Sequence, residues 1–355
     1  MSTFTRFNSG DIVLSTEKIN SNAWTDSVNE LTTFFTGSTE ALNYATPSSS
    51  GQFFLELYKT STEAASSTGK VEFSIAYGHK AGSGSEDFSS GTGGSGFSAT
   101  KAIYSQYRQL VFGDEDTNFS FNGVSPDDIY VINLERARIK QGLKPGSLNL
   151  QLSSGSAGSQ GRLHLTDDSV TTDGAANLTN LGREFNLVSG SSGTMLGTTL
   201  AQTDSGSYGF VYPDAGIIIL NPSALKLTIG NSTDTSSEFD ITPNVGSNTE
   251  GKNARKLYNA ISGAGSFIVD AEEKVSSQFY FTRVTNQEFN YSTNPSFTNT
   301  DGTLKFDSMA NNPKVFITTV GLYNDANELL AIAKLSQPLA KDFTKESLVR
   351  IKLDY

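Results

Sequence analysis

Two histidines, one pair of adjacent aspartates, an acidic cluster and a glycine-rich run are the residues whose types and spacing could do chemistry in this chain. His79 and His164 are too few for a histidine metal site, and with no cysteine in the sequence there is no thiolate to complete one. Each histidine reads as a partly exposed strand residue. Asp167 and Asp168 invite comparison with a glycosidase, which sets two carboxylates across a cleft. Neighbouring strand or turn residues point in divergent directions, so the pair does not make such a dyad. Asp114, Glu115, Asp116 and Asn118, followed by Asp127 and Asp128, lack the alternating oxygen ligands and mid-loop glycine of a calcium loop. They read as solvated loop charge. Gly91 to Gly96 matches the pattern GxGxxG, but a dinucleotide site needs a strand that ends at the first glycine. Here Tyr77 closes the preceding strand pattern many residues earlier, inside a tract where glycine recurs by composition. The sequence therefore assigns no catalytic, cofactor-binding or metal-ligating residue, and the expectation is a protein that is not an enzyme.

Composition points the same way. The chain has 355 residues, 26 basic against 37 acidic, and a net charge of -11. That charge repels phosphate backbones and anionic lipid, so nucleic acid is not an expected partner. No segment has the length of a membrane span, and residues 1–20 carry charges where a signal peptide needs an apolar core. A protein kept soluble in the cytoplasm, without membrane insertion, is expected. Phe (23) and Tyr (13) supply bulk, and Gly (33) far outnumbers Pro (9), which is the composition of a β protein.

The elements follow from periodicity. Val71 to Tyr77 alternates with one buried face, Gln52 to Thr60 and Ile129 to Leu134 are strands, and Leu148, Leu150 and Leu152 share a face. Trp24, Val28, Leu31 and Phe35 fall at helical spacing, which predicts a helix over residues 24–35 with Trp24 as a packing residue. Ile103, Tyr104, Tyr107, Leu110 and Val111 predict another, closed by Gly113. Short strands separated by turns run from Arg162 to Leu220, with Tyr212 to Gly216 as the clearest turn. A small helix from Asn253 to Ile261, stopped by Gly263, precedes Gln278 to Val284. The C-terminal stretch reads as a hairpin, Val315 to Tyr323 and Glu328 to Leu335, a break at Ser336-Gln337-Pro338, and a final alternating strand, Ser347 to Tyr355. A terminus of that pattern is expected to be paired, within the subunit or with a neighbour.

The fold expectation is mainly β, with two sandwich-like β domains and a few short helices. An N-terminal arm occupies residues 1–70, a discontinuous domain 71–146 plus 265–355, and a domain inserted between its halves 147–264. Residues 81–100 read as a long mobile Gly/Ser loop. Phe289, Tyr291 and Phe297, in a polar aromatic loop, together with Arg350 and Tyr355 on the final strand, are the interface candidates.

Three groups of residues carry a resemblance: Tyr104-Ser-Gln-Tyr107 with Ile129 to Asn133, Tyr208 to Gly216 with Asn221-Pro222, and Tyr280 to Arg283 with Phe289 to Phe297. With Val320 to Asp325 and Leu330 to Leu335, they resemble virion structural proteins of large contractile-tailed phages, T-even-like and cyanophage-type. The C-terminal ending is similar to a baseplate wedge subunit. The resemblance implies a homodimer or higher homo-oligomer, bound to other baseplate and tail proteins, assembled in the host cytoplasm and resident in the virion tail. It brings no catalytic residue, and it does not extend to the segment before Val71. The alternative is a tail-fibre base or receptor-binding protein that recognises host surface glycan.

Overall fold

Apolar runs without alternation need cover on both sides, and this chain supplies it by curling one sheet around its own core. The computed structural model describes residues 4–37, 54–84, 99–154, 162–171, 176–196, 204–229, 240–245, 252–291 and 295–354. The glycine run 91–96 and Tyr355 lie outside the described residues. The chain divides into two compact units: residues 19–273 form the larger, and residues 1–18 with 274–355 the smaller.

Strands in the first half are β1 (Ile12–Asn22), β2 (Glu30–Leu31), β3 (Leu55–Tyr58), β4 (Val71–His79), β5 (Asp128–Leu134), β6 (Gly142–Leu143), β7 (Asn149–Ser153), β8 (Arg162–Asp167) and β9 (Asn177–Thr179). They continue as β10 (Gly182–Ser191), β11 (Thr194–Met195), β12 (Gly209–Tyr212), β13 (Ile217–Leu220), β14 (Phe267–Ile268), β15 (Asp270–Val284), β16 (Val315–Tyr323), β17 (Leu329–Lys341) and β18 (Ser347–Asp354). Helices are α1 (Ser61–Ala64), α2 (Ala99–Phe112), α3 (Arg136–Ile139), α4 (Pro222–Ile229) and α5 (Lys252–Ala264). The mainly β class expected from composition holds.

In the larger unit the strands run β2-β14-β7-β8-β10-β12-β13-β5-β4-β3, every neighbour antiparallel. Past β2, Phe35 bridges back to Tyr58 on β3, so the two ends of the path meet. Opposite stretches of sheet then face one another across a common core, in the manner of a sandwich. Phe73 on β4 and Phe267 on β14 touch edge to face at 5.3 Å, and Trp24 packs on both. Leu257 and Ile261 of α5 and Leu225 of α4 fill the same interior. A second apolar layer, Ile103, Tyr104, Tyr107 and Val111 of α2 with Phe119 and Phe121, covers the other face of β4, β5, β12 and β13.

That double cover corrects several expectations. Strand β4 is buried on both faces, Glu72 and Ala76 included. Leu110 is exposed, at the edge of the α2 face that Tyr104, Tyr107 and Val111 turn to the sheet. Residues 147–264 are not an inserted domain. Ile217 to Leu220 pair with Tyr130 to Asn133, since a continuous apolar run needs a strand on each side, and the segment completes the sheet begun by β3 to β5. Residues 265–273 also stay in the larger unit, so the boundary falls within β15 and not before it.

Residues 24–35 are not a helix. Asp26 and Ser27 adopt left-handed backbone angles (φ 62° and 56°), which no helix interior accepts, and Glu30–Leu31 is a strand. The lone Trp packs as expected, its indole N–H donating to the Phe267 carbonyl at 2.9 Å. The Tyr212 to Gly216 turn forms as read, with Gly216 at φ 71°. Helix α5 runs past Gly263 and stops at Gly265, which takes the left-handed position (φ 68°). Helix α4 was not anticipated. Asn221 accepts from the N–H groups of Ser223 and Ala224 (3.1 and 3.4 Å), and Pro222 opens the first turn, so Asn-Pro was its signal.

The smaller unit holds β18 and the greater part of β1 and β15, in the order β1-β15-β18, and a separate hairpin of β16 and β17. Strand β18 pairs with β15 from Ser347↔Val284 to Asp354↔Ser277, so the final strand is tied within the subunit. Strand β17 continues through Pro338 instead of breaking there. Opposite Leu335–Pro338 the partner strand has only Thr318, so a bulge absorbs the proline, which sits where no ladder bond is required.

Candidate functional site

The chemistry-bearing residues are spent inside the larger unit. His79 is buried, not partly exposed, and its Nδ1 accepts from the N–H groups of Ala81 and Ser83 at 3.1 and 3.3 Å. Burial lowers its pKa, which favours the neutral ring that this acceptor role requires. His164 is half-buried on β8. Asp167 and Asp168 are both buried and diverge. Asp167 accepts the N–H groups of Gly146 and Ser169, whereas Asp168 takes the backbone and side-chain amides of Asn186, each at 3.0 Å. They staple a corner between three elements. Asp114 closes an exposed turn on Asp116 and Thr117, and Asp127 pairs with Lys80. Among the described residues no group of three or more His, Cys, Asp or Glu side chains is placed to hold a metal.

The smaller unit is of another kind. Its only buried large apolar side chains among the described residues are Val284, Leu322 and Ile351. By contrast, sixteen of the twenty-five large apolar side chains left exposed among the described residues belong to it. Neither apolar core contains a residue of this unit. A two-stranded hairpin is marginal by itself, and a soluble monomer rarely exposes apolar patches of this extent. Among the described residues the unit therefore leaves most of its large apolar side chains exposed.

Within it one loop is held by side-chain hydrogen bonds. Lys341, fully buried at the end of β17, donates through Nζ to the carbonyls of Asn286 and Glu288 and to Asn290 Oδ1, the first at 3.2 Å and the last at 2.8 Å. Glu288 turns back to accept the Thr285 N–H at 3.0 Å, and that bond holds its carboxyl below the usual range. Asn286 reaches the Phe343 carbonyl at 3.1 Å. These bonds fix Phe289 half exposed at φ 53°, a strained position for an aromatic residue.

Of the five interface candidates, Phe289 and Tyr291 lie exposed on this loop. Tyr291 meets the half-buried Phe297 edge to face at 6.0 Å. Arg350 is elsewhere, on the outward face of β18 over the Phe279 ring at 5.3 Å, and does not join the loop. Tyr355 lies outside the described residues. Sequence reasoning missed Phe316, Leu330, Ile332, Leu339, Phe343 and Leu348, all exposed. For Leu330 and Ile332 the signal was the unalternating run Leu329-Leu330-Ala331-Ile332, which places apolar side chains on both faces of the hairpin.

Fold and surface together define a mainly β chain with one well-packed unit and one whose large apolar side chains are mostly exposed among the described residues. No protein family, no curated protein and no solved structure matches the chain. No helix among the described residues is long and apolar enough to cross a membrane.

Proposed function

We propose that this chain is a structural subunit of a phage contractile-tail baseplate, a wedge component that holds neighbouring tail proteins together. The observation that carries the assembly role is the smaller unit, with three buried large apolar side chains against sixteen exposed ones among the described residues. Surface of that kind is stable when neighbours bury it, and obligate interfaces commonly bury ~2,000 Å² or more. The baseplate setting rests on the sequence resemblance in Tyr104 to Asn133, Tyr208 to Pro222, Tyr280 to Phe297 and the C-terminal hairpin. Localisation of the protein in purified virions by cryo-electron microscopy tests it. Density in a ring at the tail tip supports the wedge reading, and absence of the chain from the tail overturns it.

The receptor-binding alternative draws on the exposed rings of Phe289 and Tyr291, which sit on a loop rich in Asn and Asp. It ranks second because the nearby polar groups are already engaged. Asp301 accepts from Thr303, and Asn299 donates to the Thr303 hydroxyl at 3.0 Å, which leaves few polar groups to orient a sugar.

A further inference from the structure

We propose that residues 79–84 form a proton-operated latch: protonation of His79 at Nδ1 releases the Ala81 and Ser83 N–H groups and lifts Gly84 off its seat on Tyr77, Asn244 and Asn253. The latch lies wholly within the larger unit and is independent of the assembly reading.

The imidazole is the hub of the turn. His79 ends β4, and its carbonyl accepts the Gly82 N–H at 3.0 Å while its Nδ1 accepts from Ala81 and Ser83 at 3.1 and 3.3 Å. A neutral ring that accepts at Nδ1 carries its proton on Nε2. A second proton can go only to Nδ1, where it meets two N–H groups head on, so both bonds must break. Histidine is also the side chain whose ordinary pKa puts that event near physiological pH.

What the latch covers follows from strand register. His79 lies opposite Asp128 and Tyr77 opposite Tyr130, so these four side chains share one face at the end of the β4-β5 ladder. Tyr77 donates to Asp128, and Tyr130 donates to the Ile241 carbonyl, each at 3.0 Å. Gly84 is seated directly on this corner. A Cβ there would come within 2.6 Å of Asn253 Nδ2, 2.9 Å of Tyr77 Cε1 and 3.1 Å of the Asn244 carbonyl oxygen, and the backbone holds φ 77°. Ser83, the preceding residue, is held at its carbonyl by the Thr100 hydroxyl at 2.9 Å and at its N–H by His79. Loss of the N–H bonds at 81 and 83 loosens the backbone that presses Gly84 onto Tyr77.

The surrounding charges leave the ring able to switch. Asp127 favours its protonation and Lys80 opposes it, and these two pair with each other. Tyr104 and Arg108 of α2 act on Lys80 instead of the ring. Asp128 is turned to the Tyr77 hydroxyl, with Lys226 of α4 acting on it, and α5 meets Gly84 through the uncharged Asn253. Burial moves the His79 pKa below its ordinary value of ~6.5. The closed turn is therefore fully favoured above that value and is lost as pH falls through the lowered one. Asp128 runs the other way, since its contribution is lost as pH rises through about 6. The direction of the pH effect separates the two groups.

Amide hydrogen exchange of the full chain, read by NMR at about pH 7.5 and about pH 5 and corrected for the intrinsic pH dependence of exchange, tests this. Ala81 and Ser83 are expected to lose ~10-fold or more in protection at the lower pH, with a midpoint that matches titration of the His79 ring. Leu134, which donates to the Gly216 carbonyl at 2.9 Å, should keep its protection. His79→Asn sets a non-titrating oxygen near the place of Nδ1 and should hold both amides at both pH values. His79→Ala should leave them unprotected at both. Should either variant fail to fold, Asp128→Asn carries the test, because it removes the neighbouring titration and should leave the wild-type loss in place. Equal protection at both pH values in the wild type, a loss shared by Leu134, or a loss that persists in His79→Asn or disappears in Asp128→Asn would each overturn the latch.

Discussion

Phe35 and Tyr58 exchange two backbone hydrogen bonds, 3.0 and 2.8 Å long, that join the last strand of the long sheet to the segment that also bears its first. Everything the larger unit buries lies on one side or the other of the surface so closed. Phe35→Pro removes one N–H from this bridge and should cost ~3 kcal/mol. Phe35→Ala keeps the backbone and trims a side chain already 37% exposed, so it should cost less than ~1 kcal/mol. Urea unfolding of both variants checks this, and equal losses would show that the bridge contributes little.

Asp128 predicts a pH signature. It accepts the Tyr77 hydroxyl at 3.0 Å, and burial pushes its carboxyl up to about 6. The folded value lies above the unfolded one of ~3.9, so the native state binds this proton more tightly. The group's contribution is full below pH ~4 and is lost as pH rises through about 6. Asp128→Asn keeps an acceptor for Tyr77 and removes the charge. It should be more stable than wild type by ~2 kcal/mol at pH 7.5 and match it near pH 4. An equal difference at both pH values would remove the electrostatic explanation.

Glu72 supplies a buried charge on β4. Its carboxylate accepts the Thr25 N–H at 3.2 Å and lies 3.9 Å from Arg138 Nε, while Arg138 also donates to the Thr25 hydroxyl at 2.7 Å. Glu72→Ala leaves that guanidinium without its countercharge and should destabilise by ~3 kcal/mol. The double variant with Arg138→Met should recover part of the loss. Strict additivity in thermal melts would mean that the two charges do not interact.

Phe289 sets stability against contact. Asn accepts the left-handed conformation more readily than Phe, so Phe289→Asn should relieve ~1 kcal/mol of backbone strain while removing the exposed ring. The expected outcome is slower amide exchange around residues 286–290 together with weaker incorporation of the chain into the tail. Unchanged incorporation with a quieter loop would show that the strain serves no contact.

Much of this molecule was legible from periodicity and turn chemistry. The alternation of Val349, Ile351 and Leu353, the turn at Tyr212 to Gly216 and the apolar face of Ile103, Tyr104 and Tyr107 are local patterns, and each formed as read. Asn221-Pro222 carried a helix start that went unread. Residues 24–35 show the limit of spacing, since the left-handed Asp26 and Ser27 are held where Thr25 bonds to the distant Glu72.

The sequence by itself determined a mainly β chain with an acidic surface, because composition and two-residue periodicity act within a few residues. Only the tertiary structure decided that Ile217 to Leu220 belong beside Tyr130 to Asn133, and that Asp167 and Asp168 are structural staples. It alone decided that Phe316, Leu330 and Ile332 of the hairpin remain exposed. Strand order and exposure depend on which distant segments exclude water from one another, and no local pattern in a chain specifies its remote partner.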